Sequence, residues 1–346
     1  MTEDAPDPPG VSVVILNWNG VGLLEACLPS VVEAARRYPQ DCQVLVVDNG
    51  STDGSVELIR ESFPTVEALP LGDNLGFSKG CNQGVAAATH PLVVLLNNDV
   101  AVEHDFIAPL VRILQEHPDA FAVTPRMDHW DRQRTFCTAI GGELHQGRFV
   151  QLWAIDGDHQ DLCGVVAPTL FTCGAAMAFR TEAFQELGGF DDLYHPYYWE
   201  DTDLAYRAWK RGQPSWYQPE SRVYHMVSAT MKRSGIPWTF YLRRNRYLFH
   251  WRNLTDNGLL AAHIATLPWE VLRSSWVTSG YSGTPWVREL LLELIALVSA
   301  LPLGGRVLAR RRADRCHQRW SDAEVLSNAD WRSVVPDAPP VAFPYR

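Results

Sequence analysis

The sequence is short of several signatures, and each shortfall removes a class of function. Its seven cysteines (27, 42, 81, 137, 163, 173 and 316) are scattered and odd in number. No CxxC pair occurs, so neither a disulfide framework nor a cysteine-based zinc site is indicated, and a reducing cytoplasm is the expected compartment. There is no GxxxxGK[ST] phosphate loop. Where a dinucleotide-binding GxGxxG would follow the first strand stands Asn17-Trp18-Asn19-Gly20. No uninterrupted apolar run reaches the roughly 18 residues of a membrane span. Met1 to Pro9 is acidic and Pro-rich with no apolar segment, so residues 1–10 read as a disordered lead-in and not a signal peptide. Positive charge is also in deficit. The 30 Lys and Arg stand against 40 Asp and Glu, a formal net charge of −10 at pH 7, which argues against general nucleic-acid binding.

What is present is a globular composition. At 346 residues, 46% hydrophobic and 20% charged, the chain can build one large domain or two ordinary ones. Thirteen Trp and eleven Tyr serve either core packing or stacking on sugars and bases. Val11 to Leu16 is a β-branched apolar run, a first strand. Gly22 to Tyr38 carries Leu23, Leu24, Cys27, Leu28, Val31 and Val32 at helical spacing. Strands over 43–48, 66–71 and 92–96 follow, separated by helices over 55–61 and 78–88. This alternation predicts a parallel sheet covered by helices on both faces. Asn49-x-Ser51-x-Asp53-Gly54 imitates the start of a calcium loop, but Arg60 fills the twelfth position, where Glu is needed. Gly76, Gly80 and Gly84 mark close packing of a helix on the sheet.

Two strand ends are polar and fall on one edge of that sheet. In open α/β sheets this is the edge where ligands bind. Asp48 ends one strand, and Leu92 to Leu96 runs straight into Asn97, Asn98 and Asp99. A carboxylate flanked by amides either caps the next turn or holds a hard divalent cation that takes further oxygens from a diphosphate.

Further along, a helix over 105–118 turns Phe106, Leu110, Ile113 and Leu114 inward, and 125–165 forms a hairpin or loop excursion. Leu170 to Arg180 reads as one strand with tiny residues, Gly174 and Ala175 among them, at its middle. Such residues allow either tight packing or the approach of another molecule to the backbone. Three acids, Glu200, Asp201 and Asp203, follow the aromatic cluster Tyr197-Tyr198-Trp199 at the start of a helix over 202–211. The helix dipole favours them there, and Asp203 with Arg207 is an i,i+4 pair. Asp201 points away from Glu200 and Asp203, so one acid can face a site while its neighbours hold the helix. His225, at the end of the next strand, is either a packed imidazole or a metal ligand.

Five stretches therefore stand in order: Val13 to Gly20, Val46 to Ser55, Asn74 to Gly84, Leu95 to Val100, and Trp199 to Leu204. Together they resemble family 2 glycosyltransferases of the GT-A fold, in particular the bacterial rhamnosyltransferase-like branch, over about Val11 to Leu248. The resemblance implies an α/β fold with a mixed, mostly parallel sheet flanked by helices, and a catalytic domain over 11–230. Asn17, Trp18, Asn19 and Asp48 would hold the base and ribose of a nucleoside-diphosphate sugar, and Asn74, Phe77 and Asn82 would line the donor pocket. Asn97 and Asn98 stand beside Asp99 where the family has its DxD motif for Mg2+ or Mn2+. Asn97 replaces the first Asp, which leaves Asp99 as the anionic ligand. His225 matches a metal-binding histidine of some members, Asp201 the general base, and Glu200 its companion. Gly174, Ala175, Trp199 and Arg244 are expected on the acceptor side. One base with no covalent partner implies inversion at the anomeric carbon. dTDP-rhamnose is the first donor implied, with hexoses or galactofuranose on UDP or GDP open. The acceptor would be a glycan or lipid-linked glycan in cell-envelope polysaccharide synthesis.

Beyond about 230 the pattern turns helical, giving a C-terminal region over 231–332. Arg243, Arg244, Arg246 and Arg252 lie among aromatics, either as a solvated basic face or as a contact for a phosphate-bearing acceptor. Residues 258–272 and Leu290 to Leu301 are apolar, and Arg306, Arg310, Arg311, Arg312, Arg315 and Arg319 follow. Apolar then basic helices suit a peripheral membrane contact over 258–319, at the inner face of the cell membrane. A buried helix or a contact within a homo-oligomer explains the apolar part equally. Residues 333–346, with four prolines, read as an extended tail. Two rival functions stand beside the transferase. A nucleotidyltransferase would need a Gly-rich basic loop after the first strand, which Asn17 to Gly20 does not supply. A non-catalytic glycan-binding or scaffold protein on this fold would not need Asp48, Asp99, Glu200, Asp201 and His225 all intact.

Overall fold

The computed structural model describes residues 7–133, 135–137, 139–145, 148–153, 164–226, 238–334 and 341–342. Its first half follows the predicted alternation. Strands β1 (Val11–Asn17), β2 (Cys42–Asp48), β3 (Glu67–Pro70) and β4 (Leu92–Asn97) alternate with helices α1 (Val21–Arg37), α2 (Ser55–Ser62) and α3 (Phe77–Ala87). β1 pairs in parallel with both β2 and β4, and β2 with β3. Period-2 alternation sends Val13 and Ile15 to the face covered by α1 and Val14 to the opposite face, with Cys81 and Val85 of α3. Helix α3 lies so close that a Cβ on Gly84 would stand 2.5 Å from Val14 Cγ1 and 2.6 Å from Val47 Cγ2. Gly80 and Gly84 serve packing on the sheet, as expected, whereas Gly76 precedes the helix at φ 80 and faces His195.

A short strand that the sequence did not announce, β5 (Val100–Val102), follows β4 directly, and α4 (Ile107–Glu116) comes next. The second half of the sheet contains β6 (Ala122–His129), β7 (Thr135–Cys137), β10 (Ala167–Pro168), β11 (Ala176–Arg180) and β12 (Ser215–His225). A hairpin of β8 (Ile140–His145) and β9 (Arg148–Trp153) forms a separate sheet within the excursion expected over 125–165, whereas 125–129 and 135–137 are strands of the main sheet and 154–163 lie outside the described residues. The sheet order is β10-β12-β6-β11-β4-β1-β2-β3, with β11 antiparallel to β4. The strand expected over 170–180 begins only at Ala176. Residues 170–175 instead form a loop whose Gly174 N–H and Ala175 carbonyl bond to Asp201 and Asn97, so they are withdrawn from the ladder.

Helix α5 (Thr181–Glu186) and helix α6 (Glu200–Lys210) flank the aromatic turn. α6 starts two residues earlier than predicted, so Glu200 and Asp201 sit inside its first turn. The C-terminal helices are α7 (Trp238–Asn253), α8 (Asn257–Ser282), α9 (Trp286–Ala300), α10 (Gly304–Arg315) and α11 (Asp322–Asn328). α11 returns to α6: Asp322 accepts from Tyr206 at 2.7 Å and lies 2.5 Å from Lys210 Nζ. Of the expected tail, Val341–Ala342 pair with β9 as strand β13, and most of the rest lies outside the described residues, as do residues 1–6 of the lead-in.

Candidate active site

The site grows from two polar strand ends. Asn17 and Asp48 are Cα partners at the ends of β1 and β2, and Asn17 Nδ2 donates to Asp48 Oδ1 at 3.1 Å. Asp48 Oδ2 accepts from the Ser51 N–H at 3.0 Å. Asn98, just past β4, donates to Asn17 Oδ1 at 2.7 Å. These residues are buried and lock three loops together. The lock explains Gly20: a Cβ there would meet Asn98 Nδ2 at 2.2 Å. Trp18 and Asn19 stand half-buried on the loop after β1, where Asn19 has φ 48 and accepts from the Thr52 N–H at 2.8 Å. Asn74 Oδ1 accepts from Asn49 at 3.1 Å and from the Gly76 N–H at 2.9 Å. Asn49, a buried amide that sequence reasoning passed over, also accepts from the Leu75 N–H at 2.9 Å.

Asp99 and His225 meet because β5 runs antiparallel to β12 with His225 opposite Val100. The Met226 N–H bonds the Asp99 carbonyl at 3.0 Å. His225 Nε2 lies 3.2 Å from Asp99 Oδ1 and both side chains are buried. Burial pushes the imidazole toward the neutral form, but the Asp99 carboxylate outweighs it and holds the His225 pKa above its ordinary value. Among the described residues no three His, Cys, Asp or Glu side chains converge as a metal cluster. One carboxylate and one imidazole within 3.2 Å nonetheless fit a divalent cation that takes its other oxygens from a diphosphate. The lone carboxylate with amides beside it, not a closed ligand set, suits such a shared ion.

Asp201 enters from the other half of the molecule. Its Oδ2 accepts from the Gly174 N–H at 2.8 Å and its Oδ1 from the Thr202 N–H at 2.7 Å. The next residue, Ala175, accepts from the Asn97 N–H at 2.9 Å, two positions before Asp99. Gly174 and Ala175 thus bridge α6 to the end of β4. A Cβ on Gly174 would lie 3.2 Å from Asp201 Oδ2 and 3.5 Å from Phe77 Cζ, which brings Phe77 to the same place. Burial raises the Asp201 carboxyl above its ordinary value, and backbone N–H groups restrain the rise. Burial, and then the neighbouring Asp201, push Glu200 up much further; Glu200 Oε2 is buried with no hydrogen-bond partner among the described residues. Cys173 is within electrostatic reach of both Glu200 and His225.

The aromatic turn before α6 is strained. Tyr198 and Trp199 have φ 75 and 74, a left-handed conformation costing about 1–3 kcal/mol per bulky residue. Asn245 of α7, fully buried, holds it: the two N–H groups of its Nδ2 are shared among the carbonyls of Tyr194, Tyr197 and Tyr198 at 2.8, 3.0 and 2.9 Å. Trp199 Nε1 donates to the Leu242 carbonyl at 2.9 Å. Asn245 could not be found from the sequence, because an Asn inside a helix carries no local signal of a distant partner.

Some expected positions do other work. The Asn82 amide is engaged at both ends by the Phe190 backbone, at 2.8 and 3.0 Å, which makes it a latch for the 188–192 loop. Trp199 is buried against Phe249, ring centroids 5.0 Å apart, and is not an open stacking surface. Arg243, Arg246 and Arg252 form neither a solvated face nor a phosphate contact. Arg243 and Arg246 pair with Glu289 and Glu293, and Arg252 pairs with Asp191, Asp203 and Asp314. Their acids arrive from other segments. Arg244 is only partly buried and donates to the His195 carbonyl.

A mostly parallel sheet with a carboxylate–imidazole pair beyond its central strand, linked through Gly174 and Ala175 to a Glu-Asp pair on a strained turn, fits a glycosyltransferase of the GT-A class. Comparison with known proteins narrows this. The model of the family described as glycosyltransferase like family 2 matches residues 8–246, and the chain belongs to that family. The N-acetylglucosaminyl-diphospho-decaprenol L-rhamnosyltransferase of Mycobacterium tuberculosis is 29% identical over 257 residues, 68% of this chain and 82% of that protein. The poly-beta-1,6-N-acetyl-D-glucosamine synthase of Staphylococcus aureus is 23% identical over 227 residues, 64% of this chain and 51% of that protein. Among solved structures, GalNAc-T7 with UDP, GalNAc and Mn2+ superposes with a TM-score of 0.66 at 15% identity, covering 96% of this chain and 59% of that one. A mannosyltransferase of Pyrobaculum calidifontis with GDP-Man and Mn2+ gives 0.52 at 21%, covering 96% and 89%. The chain is a glycosyltransferase of the GT-A fold.

Proposed function

We propose that the enzyme moves a sugar, with inversion at the anomeric carbon, from a nucleoside-diphosphate sugar to a hydroxyl of a glycan or lipid-linked glycan in cell-surface polysaccharide synthesis. One observation carries this reading: Asp201 and the Asp99–His225 pair are joined through Gly174, Ala175 and Asn97 by two hydrogen bonds of 2.8 and 2.9 Å. The carboxylate read as the base and the pair read as the cation site are therefore tied together by one short backbone bridge. The Mycobacterium tuberculosis relative, named for a rhamnosyl transfer to a diphospho-decaprenol acceptor, supports dTDP-rhamnose as the first donor to test. In this reading residues 11–230 form the catalytic domain and 231–332 brace it from behind α6.

Asp201 takes the proton of the acceptor hydroxyl as its oxygen attacks the anomeric carbon. The bond from that carbon to the diphosphate oxygen breaks on the opposite face, and the nucleoside diphosphate leaves. Each Asp201 oxygen accepts one backbone N–H, which fixes the carboxylate in orientation and leaves a lone pair for the proton. Glu200, driven toward its protonated form, keeps a second negative charge away from Asp201. Asp99 and His225 would hold Mg2+ or Mn2+. When bound, that ion offsets the negative charge gathering on the departing diphosphate. The Asn17–Asp48–Asn98 lock shapes the floor on which the base and ribose rest, with Trp18 and Asn19 beside it.

A thermal-shift panel of dTDP-, UDP- and GDP-sugars, with and without Mn2+, tests the reading. Ligands that bind only the folded state raise apparent stability. One nucleotide should stand out, and only with the metal present. No shift with any nucleotide sugar would end the proposal.

A further inference from the structure

Helix α9 is built inside out. Its inward side carries Glu289 and Glu293, 4% and 0% exposed, while Leu291, Ile295 and Val298 on its outer side are 54%, 55% and 61% exposed. The inward carboxylates are held by Arg243 and Arg246 of α7, and Tyr247 donates to Glu293 Oε1 at 2.5 Å. An aqueous helix places its apolar stripe inward and its charges outward. The reverse arrangement puts apolar side chains where an apolar medium covers them. Helix α8, which packs against α9, exposes Trp269 and Trp276, 61% and 71%, at i,i+7 on its own face.

We infer that the outer face of α8, α9 and α10 is a docking surface for an anionic lipid bilayer, lying in the interface and not crossing it. Charge complementarity selects this occupant. In a chain of net charge −10, residues 286–319 hold seven arginines and three acids; Arg311 is buried and Arg306 and Arg310 pair with Asp192 and Asp191, which leaves Arg288, Arg312, Arg315 and Arg319 exposed. On α10, Leu308, Arg312 and Arg315 follow at i, i+4 and i+7, all exposed, so the apolar stripe runs directly into guanidinium groups. Tryptophan and leucine set into the acyl boundary with arginine among the headgroups is the arrangement of an interfacial helix. A two-fold dimer through this self-complementary face would bring two arginine-rich rims into one interface. Trp286–Arg315 is long and apolar enough by length and composition to cross a membrane, which a search for uninterrupted apolar runs misses. The buried ion pairs to α7 keep it along the protein instead. The inference rests on this face alone and not on the donor or acceptor.

The test is sedimentation of the full chain with phosphatidylcholine vesicles, with and without phosphatidylglycerol, at low and high salt. Binding should require phosphatidylglycerol and fall with salt. Trp269→Gln with Trp276→Gln should weaken it about tenfold or more, and Arg312→Gln or Arg315→Gln about fivefold each. These side chains are exposed, so an unchanged melting temperature and nucleotide shift should confirm that each variant is folded. Failure to sediment with either vesicle overturns the inference, as does binding indifferent to phosphatidylglycerol and salt. So does a dimer in light scattering, abolished by Leu291→Gln with Ile295→Gln, in a chain that ignores vesicles.

Discussion

Replacing Asp203 with asparagine probes how the fold carries the turn that leads into α6. Asp203 lies fully buried, two residues after Asp201. Its Oδ1 accepts from Tyr194 and Asn253, each at 2.8 Å, and its Oδ2 from Arg207 at 2.7 Å and Arg252 at 3.2 Å. Asparagine keeps the volume but removes the charge, and either orientation of its amide turns an N–H toward groups that already donate. Losing one partner of a buried ion pair costs about 3–5 kcal/mol. Arg252 retains Asp191 at 2.8 Å and Asp314 at 3.0 Å. The loss therefore falls on Arg207, which among the described residues keeps the carbonyls of Leu187 and Gly189, and the low end, about 3 kcal/mol, is expected. Burial opposes ionisation of Asp203, but Arg252, Arg207 and Asn253 outweigh it and hold its pKa below the ordinary value. The unfolded chain then takes up the proton first as the pH falls. The stabilisation is complete above the unfolded aspartate value of about 3.9 and disappears as the pH drops through the lower folded value. Urea titrations followed by tryptophan fluorescence should show the full gap between wild type and variant at pH 7 and a narrowing gap below about pH 4. A gap under about 1 kcal/mol at pH 7, or one that ignores pH, would refute the assignment of Asp203 as the anchor of α6.

Four further outcomes follow from the same geometry. Asp201→Asn should lower turnover by about 10²–10⁴ with donor binding retained; near-normal turnover in a donor-saturated assay removes it as the base. Asp99→Ala should abolish the Mn2+-dependent part of nucleotide binding, read by calorimetry, and unchanged affinity would count against the carboxylate–imidazole pair as the ion's seat. Asn82→Ala strips two hydrogen bonds from the Phe190 backbone and should cost about 1–3 kcal/mol with the donor KM unchanged; a raised KM at unchanged stability would return Asn82 to the donor pocket. The raised Glu200 pKa means that the folded state holds this proton more tightly, so its ionisation penalty is fully present above the folded value and relieved as pH falls toward the unfolded one. Glu200→Gln should therefore flatten the rise in melting temperature on mild acidification, and an unaltered slope contradicts the buried acid.

What the sequence determined by itself is local. Runs such as Val11 to Leu16 and Leu92 to Leu96 announce buried strands through β-branching and length, and the polar residues that close the 43–48 and 92–96 strands, Asp48 and Asn97 to Asp99, mark a candidate ligand edge. The i,i+4 link between Asp203 and Arg207 was legible for the same reason, since a helix turn brings its partners together. Only the tertiary structure decided which distant side chains meet. Asp99 finds His225 through a three-residue strand too short to show a period. Arg243, Arg246 and Arg252 looked basic and available until acids from α6, α9 and α10 neutralised them. Asn245 props up the turn that presents Asp201 without any mark in its own neighbourhood. Burying a charge or an amide is tolerable only against a matching group, and that group is supplied by packing of segments far apart in the chain, which no short window of sequence contains.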